Sequence, residues 1–489
     1  MHFLLLVLVY YVGLIVFMTG LLPMEDITYK DQIPVQTDPG AVTRFVFMIV
    51  DGLRSDLLLS PQHAPSWRKL AAHLDRHAFI RANSYIQPPT VTMPRIKAIT
   101  SGRVPKFVDV LRNLDTAAMH GDTWLSRLVH QKQWSLEFYG DDTWIKLFPD
   151  LFKRFDGTNS FFVNDYYEVD RNVTRHLKDL FQRPSEWNGV ILHYLGLDHI
   201  GHVEGPRGSS LPSKLSEMDT VADSIITQLN EIKSSKGDSW LFVLTGDHGM
   251  SDQGGHGGSS FGEVNTGLLL VSSTPRSDQT VPLTETQQVD LASFMGLVTG
   301  AGIPKSSLGL IHPKWFDTFW PEPFDRLRAL AKLLRHYALL SGCMSRYSEA
   351  QWDELPTIDL TCPSKFITRD EIIFYNTLVK QMELKYIYLH QGGSTSRANY
   401  SMSDSKNNPD SHEGQIYQLL RKIQSRALSG AHHLDDMSMV AGALLMWLVS
   451  SFLVDCVTLS DEFVLPHTRK HRTEKLTIHQ DKMPVLCDC

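Results

Sequence analysis

The sequence predicts an α/β fold built on a mostly parallel central sheet. Three short apolar runs have the β-branched and aromatic composition of strands buried on both faces of such a sheet, at residues 45–50, 189–195 and 240–244. Each run ends in a turn that carries acidic or histidine side chains, and helical patterns follow. Because open α/β sheets bind ligands at the carboxyl ends of their strands, we expect these side chains to meet at one edge.

Length and composition indicate a globular protein with room for more than one domain. The 489 residues are 42% hydrophobic and 21% charged, which excludes a disordered or fibrous chain. A formal net charge of -7 leaves no basic footprint, so nucleic acid is not expected as a partner. Five cysteines are too few for a disulfide framework. Cys343 and Cys362 are either bridged to each other or two buried thiols.

Two apolar segments predict a membrane protein. Residues 3–22 are uncharged and would form a helix of ~30 Å, the thickness of a bilayer's hydrocarbon core, so residues 1–22 are interpreted as an uncleaved signal anchor. Residues 437–454 carry no charge and predict a second transmembrane helix, with a buried core helix as the alternative. The tail at 455–489 contains a basic cluster, which by the positive-inside rule makes it cytosolic.

This topology places the chain between the two spans in a lumen. Two glycosylation sequons agree with that side, Asn172-Val-Thr and Asn399-Tyr-Ser. The lumenal part divides into a polar linker at 23–40, a catalytic domain at 41–310 and a membrane-proximal helical region at 311–436. The helical region includes an amphipathic pattern at 324–340.

The turns after the three strands have the spacing of metal ligands. Asp198 and His202 lie four residues apart, so a helical turn would direct both to one ion. With His256 they would form a nitrogen and oxygen site with an open position, as in catalytic zinc sites. A second predicted set consists of Asp51, Asp247 and His248. Taken alone, the loop at 245–256 could equally be a polar loop that happens to contain two histidines.

Two such ions ~4 Å apart can clamp both oxygens of an in-line phosphoryl displacement. The sequence does not distinguish zinc from manganese, since the same ligands suit both. A nucleophile is expected in the segment Pro88-Pro-Thr90-Val-Thr92-Met-Pro94, just before a helix predicted at 95–100. The amino end of that helix would supply backbone donors to phosphate oxygens. The alternative role for Thr90 and Thr92 is helix capping.

In their order and spacing, these motifs resemble the phosphodiesterase-like branch of the alkaline phosphatase superfamily across residues 41–310. The shared elements are Asp51-Gly, Thr92-Met-Pro94, Asp198-His-Ile-Gly-His202, Gly246-Asp-His-Gly249 and His256. Longer stretches at 85–97, 139–149 and 255–259 look like the glycosylphosphatidylinositol (GPI) ethanolamine phosphate transferase 2 family. The resemblance implies an alkaline-phosphatase-like three-layer α/β/α domain flanked by transmembrane helices.

The resemblance also implies an activity. A threonine would attack phosphatidylethanolamine at a site with two divalent ions, which the resemblance implies are zinc. A phosphoethanolamine-threonine intermediate would then pass its group to the second mannose of the GPI precursor. Thr92 matches the nucleophile position of related phosphodiesterases and is favoured, whereas Thr90 matches some ethanolamine phosphate transferases. The implied location is the endoplasmic reticulum membrane, with the catalytic domain in the lumen.

Two alternatives remain beside this transferase. One is a membrane-anchored, metal-dependent phosphodiesterase or pyrophosphatase that uses water as the acceptor. The other is a truncated, non-catalytic form. Members of the family continue into many further transmembrane helices, through which a membrane partner subunit is expected to bind, and this sequence does not include those helices.

Overall fold

The computed structural model describes the greater part of the chain. Residues Met24–His433 form one compact unit, and Met1–Pro23 with Leu434–Cys489 form another. The described residues are 2–21, 40–105, 118–119, 121–159, 162–276, 283–341, 357–359, 361, 367–391, 412–431, 441, 443–448 and 450.

The larger unit alternates strands with helices. The strands are β1 (Arg44–Val50), β2 (His77–Tyr85), β3 (Leu136–Asp141), β4 (Arg154–Thr158), β5 (Gly189–Tyr194), β6 (Trp240–Thr245), β7 (Asn265–Pro275) and β8 (Thr284–Gln287). The helices of both units, numbered along the chain, are α1 (His2–Leu21), α2 (Ser55–Leu59), α3 (Arg68–Leu74), α4 (Thr92–Ser101), α5 (Trp124–His130), α6 (Thr143–Leu147), α7 (Glu168–Thr174), α8 (Leu177–Gln182), α9 (Gly196–Glu204), α10 (Leu211–Lys236), α11 (Phe261–Val264), α12 (Asp290–Val298), α13 (Pro313–Phe319), α14 (Pro323–Leu340), α15 (Arg369–Gln391) and α16 (His412–Ala431).

The eight strands form one sheet in the order β4-β3-β5-β1-β6-β7-β2-β8. Strand β1 is parallel to both of its neighbours, β5 and β6, and β3 is parallel to β4 and β5. Only β7 runs against its neighbours among the described strands. The predicted α/β class with a mostly parallel sheet is therefore confirmed.

The three predicted strands occur where the apolar runs indicated. They are β1, β5 and β6, and every residue of all three is buried. Strands buried on both faces need no polar side chain, which is why these runs lack the alternation of a half-exposed strand. Because β5, β1 and β6 are adjacent, the turns that follow them lie side by side at one edge of the sheet.

Helices cover both faces of the sheet, which gives three layers. On β1, Phe45, Phe47 and Ile49 join a core with α4, α5 and α12, whereas the alternate residues face α10. The first core also includes apolar residues of α13 to α16, from the region predicted to be a separate segment at 311–436. The amphipathic pattern at 324–340 corresponds to α14, whose apolar residues pack into that same core.

Helix α1 occupies the segment predicted as the anchor. In the part of the chain that the structure describes, no helix combines the length and the apolarity that crossing a bilayer requires. Both transmembrane spans therefore stay predictions. Several other predicted features lie wholly or largely outside the described residues: the linker 23–40, the second span, the tail 455–489, Cys343, Cys362 and the Asn399 sequon.

One helix boundary differs from the prediction. Helix α4 begins at Thr92, three residues before the predicted start at 95. Val91 precedes it and makes no side-chain cap, so the sequence carries no polar capping signal at this end. The earlier start places Thr92 in the first turn of the helix, and neither threonine caps it.

Candidate active site

The predicted ligand residues meet at the carboxyl edge of the sheet. Asp51 directly follows β1, and Asp198 and His202 lie on α9, which begins two residues after β5 ends. Asp247 and His248 follow β6. The Gly-rich loop after β6 then brings back the remaining histidine, His256, whose ring stacks on the ring of His248 with centroids 3.8 Å apart.

The first predicted set forms a compact, buried cluster. One ligand atom each of Asp51, Asp247 and His248 lies within 4.8 Å of the others. His248 Nε2 is 3.2 Å from Asp51 Oδ1 and 3.5 Å from Asp247 Oδ2. The three side chains are at most 4% exposed, so any charge that they hold is shielded from bulk water.

The second set is centred on Asp198. One ligand atom each of Asp198, His256 and His248 lies within 4.8 Å of the others. His202 lies outside that tight group, but its Nε2 is 3.2 Å from Asp198 Oδ2, and its ring centroid is 5.0 Å from that of His256. His248 is thus within reach of both sets, and the division of ligands between two ions remains a prediction.

The carboxylates of this site repel one another. Burial, followed by the nearby carboxylates of Asp247, Asp198 and Asp141, raises the pKa of Asp51 well above its usual value. Among the described residues, Asp51 Oδ1, Asp198 Oδ1 and Asp247 Oδ2 are buried without a hydrogen-bond partner. Uncompensated buried carboxylate oxygens are costly, and a bound cation removes that cost.

Asp198 experiences the opposite balance of forces. Burial opposes its ionisation, but a hydrogen bond from His202 and the charges of His248 and His256 lower its pKa to about 2. An ionised carboxylate beside imidazole nitrogens is a donor set that zinc accepts. The residues present therefore fit divalent metal binding; the number and identity of the ions are not fixed by this geometry.

Two of the histidines are held with one ring nitrogen facing the cluster. His248 Nδ1 lies 2.9 Å from the carbonyl oxygen of Gly249, and His256 Nδ1 lies 2.7 Å from that of Thr90. A carbonyl can only accept, so each Nδ1 carries the proton and donates it. Each Nε2 is then left with its lone pair, which is the form that binds a metal.

Thr92 lies inside the site and Thr90 lies in its wall. Thr92 Oγ1 is 3.4 Å from Asp51 Oδ2 and 3.4 Å from His248 Nε2. Thr90 is fully buried; its hydroxyl donates to the Gly258 carbonyl and accepts from the Gly257 amide. The geometry thus presents Thr92 to the cluster and uses Thr90 to hold the loop that carries His256. The role of Thr92 as nucleophile stays a prediction.

His193 is a site residue that the sequence did not reveal. Its position within an apolar strand is typical of an ordinary core histidine, yet its Nε2 lies 3.5 Å from Asp51 Oδ2. Its Nδ1 accepts a hydrogen bond from Trp144 Nε1 at 3.0 Å. Because the indole can only donate, the His193 proton must be on Nε2, the nitrogen that faces Asp51. His193 therefore presents a fixed N–H to a predicted metal ligand.

Trp144 itself does not line an open pocket. By residue type, Asp141, Asp142 and Trp144 could line an ethanolamine pocket through carboxylate and cation–π contacts. The simpler account is a turn followed by a core aromatic. Trp144 is 0% exposed, and Asp141 Oδ1 accepts the Thr143 amide as part of the turn. The simpler account holds, but the indole also fixes the tautomer of His193.

A buried charge network anchors the start of α9, the helix that carries Asp198. Asp170 Oδ1 accepts the amides of Leu195 and Gly196, and Asp170 Oδ2 pairs with Lys214 Nζ at 2.9 Å. Both charged side chains are 0% exposed. The turn between β5 and the helix is thus fixed by Asp170 of α7 and Lys214 of α10, which are distant from it along the chain.

Glu263 similarly supports the loop that carries His256. The sequence is compatible with a Glu263 that orients a ligand or one that faces solvent, and the side chain is only 6% exposed. Its carboxylate accepts the amides of Gly258 and Ser260 at 2.7 and 2.9 Å. Burial acts to raise its pKa, but hydrogen bonds from Ser260 and Gly258 outweigh burial and lower it.

Comparison with known proteins gives matches that agree with this site. A family model described as type I phosphodiesterase / nucleotide pyrophosphatase matches residues 116–258. GPI ethanolamine phosphate transferase 2 of Aspergillus fumigatus is 39% identical over 349 residues, covering 66% of this chain and 44% of that protein. The human protein named GPI ethanolamine phosphate transferase 2, catalytic subunit, is 44% identical over 282 residues, 56% of this chain and 28% of its own length.

A solved structure gives a weaker match. The zinc complex of the C-terminal periplasmic domain of EcEptC from Escherichia coli is 14% identical, covers 56% of this chain and 85% of that chain, and has a TM-score of 0.41. A likeness at that level supports no statement about chemistry. The chain spans less than half the length of the two curated relatives described above. The resemblance predicted from the motifs is confirmed by the sequence matches: over the matched residues, this chain is similar to proteins named GPI ethanolamine phosphate transferase 2.

Proposed function

We propose that this chain transfers phosphoethanolamine from phosphatidylethanolamine to the second mannose of a GPI precursor. The observation that carries the proposal is the position of Thr92, whose hydroxyl lies 3.4 Å from both Asp51 and His248 at the amino end of α4. A hydroxyl in that position faces the candidate metal ligands and the amino end of a helix, and with divalent cations bound there the site would suit a phosphodiester.

The first step joins Thr92 to the donor. Thr92 Oγ1 attacks the phosphorus, the bond from phosphorus to the diacylglycerol oxygen breaks, and diacylglycerol leaves with a proton. The proton released by Thr92 Oγ1, which lies 3.4 Å from Asp51 Oδ2, is balanced by the proton that diacylglycerol takes up. The first turn of α4 holds the phosphoryl oxygens.

The second step regenerates Thr92. A mannose hydroxyl attacks the same phosphorus, the bond to Thr92 Oγ1 breaks, and Thr92 recovers its proton. Two successive displacements spare the site from holding both lipids together. Divalent cations held by the two ligand sets, zinc ions in this proposal, would favour the ionised form of the hydroxyl and neutralise the phosphoryl oxygens.

The proposal extends to the setting of the enzyme. The apolar segments at 1–22 and 437–454 would hold the catalytic domain in the lumen at the endoplasmic reticulum membrane, beside its lipid substrates. Asn172 belongs to a sequon and is partly exposed on α7, which is compatible with lumenal glycosylation. A membrane partner subunit belongs to the same proposal.

A hydrolase with water as acceptor is the second candidate, favoured by the description of the matching family model. Both candidates release diacylglycerol, so the acceptor distinguishes them. The purified chain is incubated with ethanolamine-labelled phosphatidylethanolamine, with and without a mannosylated GPI precursor. Transfer of label to the precursor supports the transferase. Free phosphoethanolamine with no labelled precursor would support the hydrolase.

A further inference from the structure

A polar cleft opens at the edge of the sheet that carries the metal cluster. It has a volume of about 290 Å³ and lies between α16 and the ends of two strands. Tyr85 is the last residue of β2, and Gln287 is the last residue of β8. Both strands point in the same direction as β6, so both end at the edge where Asp247 lies.

The cleft is close to the reacting centre. Neighbouring strands are ~4.8 Å apart, so β2 and β8 end about 10 and 14 Å along the edge from β6. Gln87, in the wall of the cleft, precedes Thr92 by five residues, which span at most ~18 Å. In addition, Gln288 Nε2 donates to the backbone carbonyl of Asp247 at 2.5 Å. A hydrogen bond therefore connects the residue that follows Gln287 of the cleft wall to the backbone of a candidate metal ligand.

The lining offers amides, hydroxyls and one aromatic ring. Gln87 is 8% exposed; its Nε2 donates to Gln287 Oε1 at 2.5 Å, while its own Oε1 is buried without a partner among the described residues. The oxygen is covered in this conformation, so a hydroxyl that enters the cleft pairs with it once the Gln87 side chain turns. Tyr85 is 38% exposed and presents a ring beside it, and Ser425 of α16 lines the opposite wall.

The charge of the cleft argues for a neutral ligand. Arg421 is the one charged residue of the lining, and its guanidinium lies 3.7 Å from the buried carboxylate of Asp290. Gln424 is held by the same carboxylate, since its Nε2 donates to Asp290 Oδ1 at 2.6 Å and to the Leu308 carbonyl at 2.8 Å. Asp290 thus holds Gln424 in place and balances the positive charge of Arg421, so the cleft favours ligand hydroxyl groups over an anion.

We propose that this cleft binds sugar rings of the mannose-containing acceptor and so places its reactive hydroxyl toward Thr92. The inference rests on the proposed function and names the part of the protein that recognises the acceptor. Gln87 accepts a sugar hydroxyl, Tyr85 packs against the apolar face of a ring, and Ser425 borders the entrance.

Binding of soluble α-linked mannotriose to the full-length chain in detergent, measured by calorimetry, tests the proposal without requiring turnover. Ser425→Trp fills the cleft from an exposed position, and Gln87→Leu removes the acceptor. Each should weaken binding by about tenfold or more, roughly 1.4 kcal/mol. Gln418→Trp, at an exposed position of the same helix outside the cleft, should leave binding within twofold. Thermal unfolding confirms that each variant is folded.

Absence of mannotriose binding by the unaltered chain would overturn the proposal, as would equal affinities in all three variants. Binding of inorganic phosphate that Ser425→Trp abolishes, without mannotriose binding, would also overturn it. Diacylglycerol release by the unaltered chain is measured separately. If release fails while mannotriose binding still depends on Ser425, the proposed function is refuted and the sugar site is supported.

Discussion

The contacts from Trp144 to His193 and from His193 to Asp51 predict that a tryptophan controls metal affinity through a histidine. In Trp144→Phe the indole donor is lost, and His193 Nδ1 no longer has a partner that fixes its tautomer. The ring can then carry its proton on Nδ1 and turn a lone pair toward Asp51 Oδ2, which is 3.5 Å from His193 Nε2. Two facing lone pairs repel, so Asp51 is displaced or partly protonated.

The expected magnitude follows from the groups involved. Loss of an outer partner of a metal ligand typically lowers metal affinity ~10- to 100-fold, or ~1.4 to 2.8 kcal/mol. We expect Trp144→Phe near the lower figure, because Asp51 itself still favours a proton on Nε2, and His193→Phe near the upper one. The unfolding free energy should also fall by about 1 to 3 kcal/mol, since a buried acceptor is left unpaired.

Zinc affinity is measured by competition with a chromophoric chelator, and stability by chemical denaturation of the metal-free chain. Trp124→Phe is the matched control. Trp124 is also 0% exposed, and its indole donates to the Ile99 carbonyl at 3.1 Å rather than to a histidine. The control should lose stability and keep its zinc affinity. Equal zinc affinities for the two tryptophan variants would refute the reasoning.

Three further predictions concern the nucleophile, the pH dependence of stability and the support of α9. Thr92→Ala should abolish diacylglycerol release. Thr90→Ala should still release diacylglycerol but bind metal more weakly, because Thr90 holds the loop that carries His256. Full diacylglycerol release by Thr92→Ala would contradict the assignment of the nucleophile. Burial lowers the pKa of His336 from 6.5 to about 4. The unfolded chain therefore takes up the proton at higher pH than the folded chain, and the free energy of unfolding falls as the pH drops from 6.5 to 4. This histidine should lower the free energy of unfolding by about 2 kcal/mol between pH 7 and 5. In chemical denaturation, the free energy of unfolding of His336→Gln should depend less on pH over this range. The same pH dependence as in the unaltered chain would contradict the role of His336. Asp170→Ala should lower the unfolding free energy by about 3 to 5 kcal/mol, because it removes the buried partner of Lys214 and the acceptor of the Leu195 and Gly196 amides. Thermal unfolding close to that of the unaltered chain would contradict this role of Asp170.

Much of the fold and of the ligand set was predictable because the signal is local. An apolar strand that ends in Asp or His is visible in a few consecutive residues, and parallel strands bring such ends to one edge. The sheet order then makes β5, β1 and β6 adjacent, so Asp51, Asp198 and Asp247 meet. The start of α4 was misplaced because Val91 gives no capping signal.

The remaining parts of the site depend on distant pairs. His193 contacts Asp51 only because β5 pairs with β1 in a register that sets His193 opposite Ile49, two residues before Asp51. Trp144 reaches His193 from a helix 49 positions earlier. No periodicity in the sequence encodes either contact. The cleft beside β2 likewise combines Gln87 with Ser425, residues from opposite ends of the folded unit.

The covalent state of Thr92 during turnover tests the central claim most directly. The metal-loaded chain is incubated with phosphatidylethanolamine without acceptor, quenched in acid and digested, and the peptide that contains both Thr90 and Thr92 is sequenced by mass spectrometry. The account predicts phosphoethanolamine on Thr92, and its loss when metal is removed by a chelator beforehand. Diacylglycerol release with the modification on Thr90, or with no modified threonine under any quench condition, would contradict it.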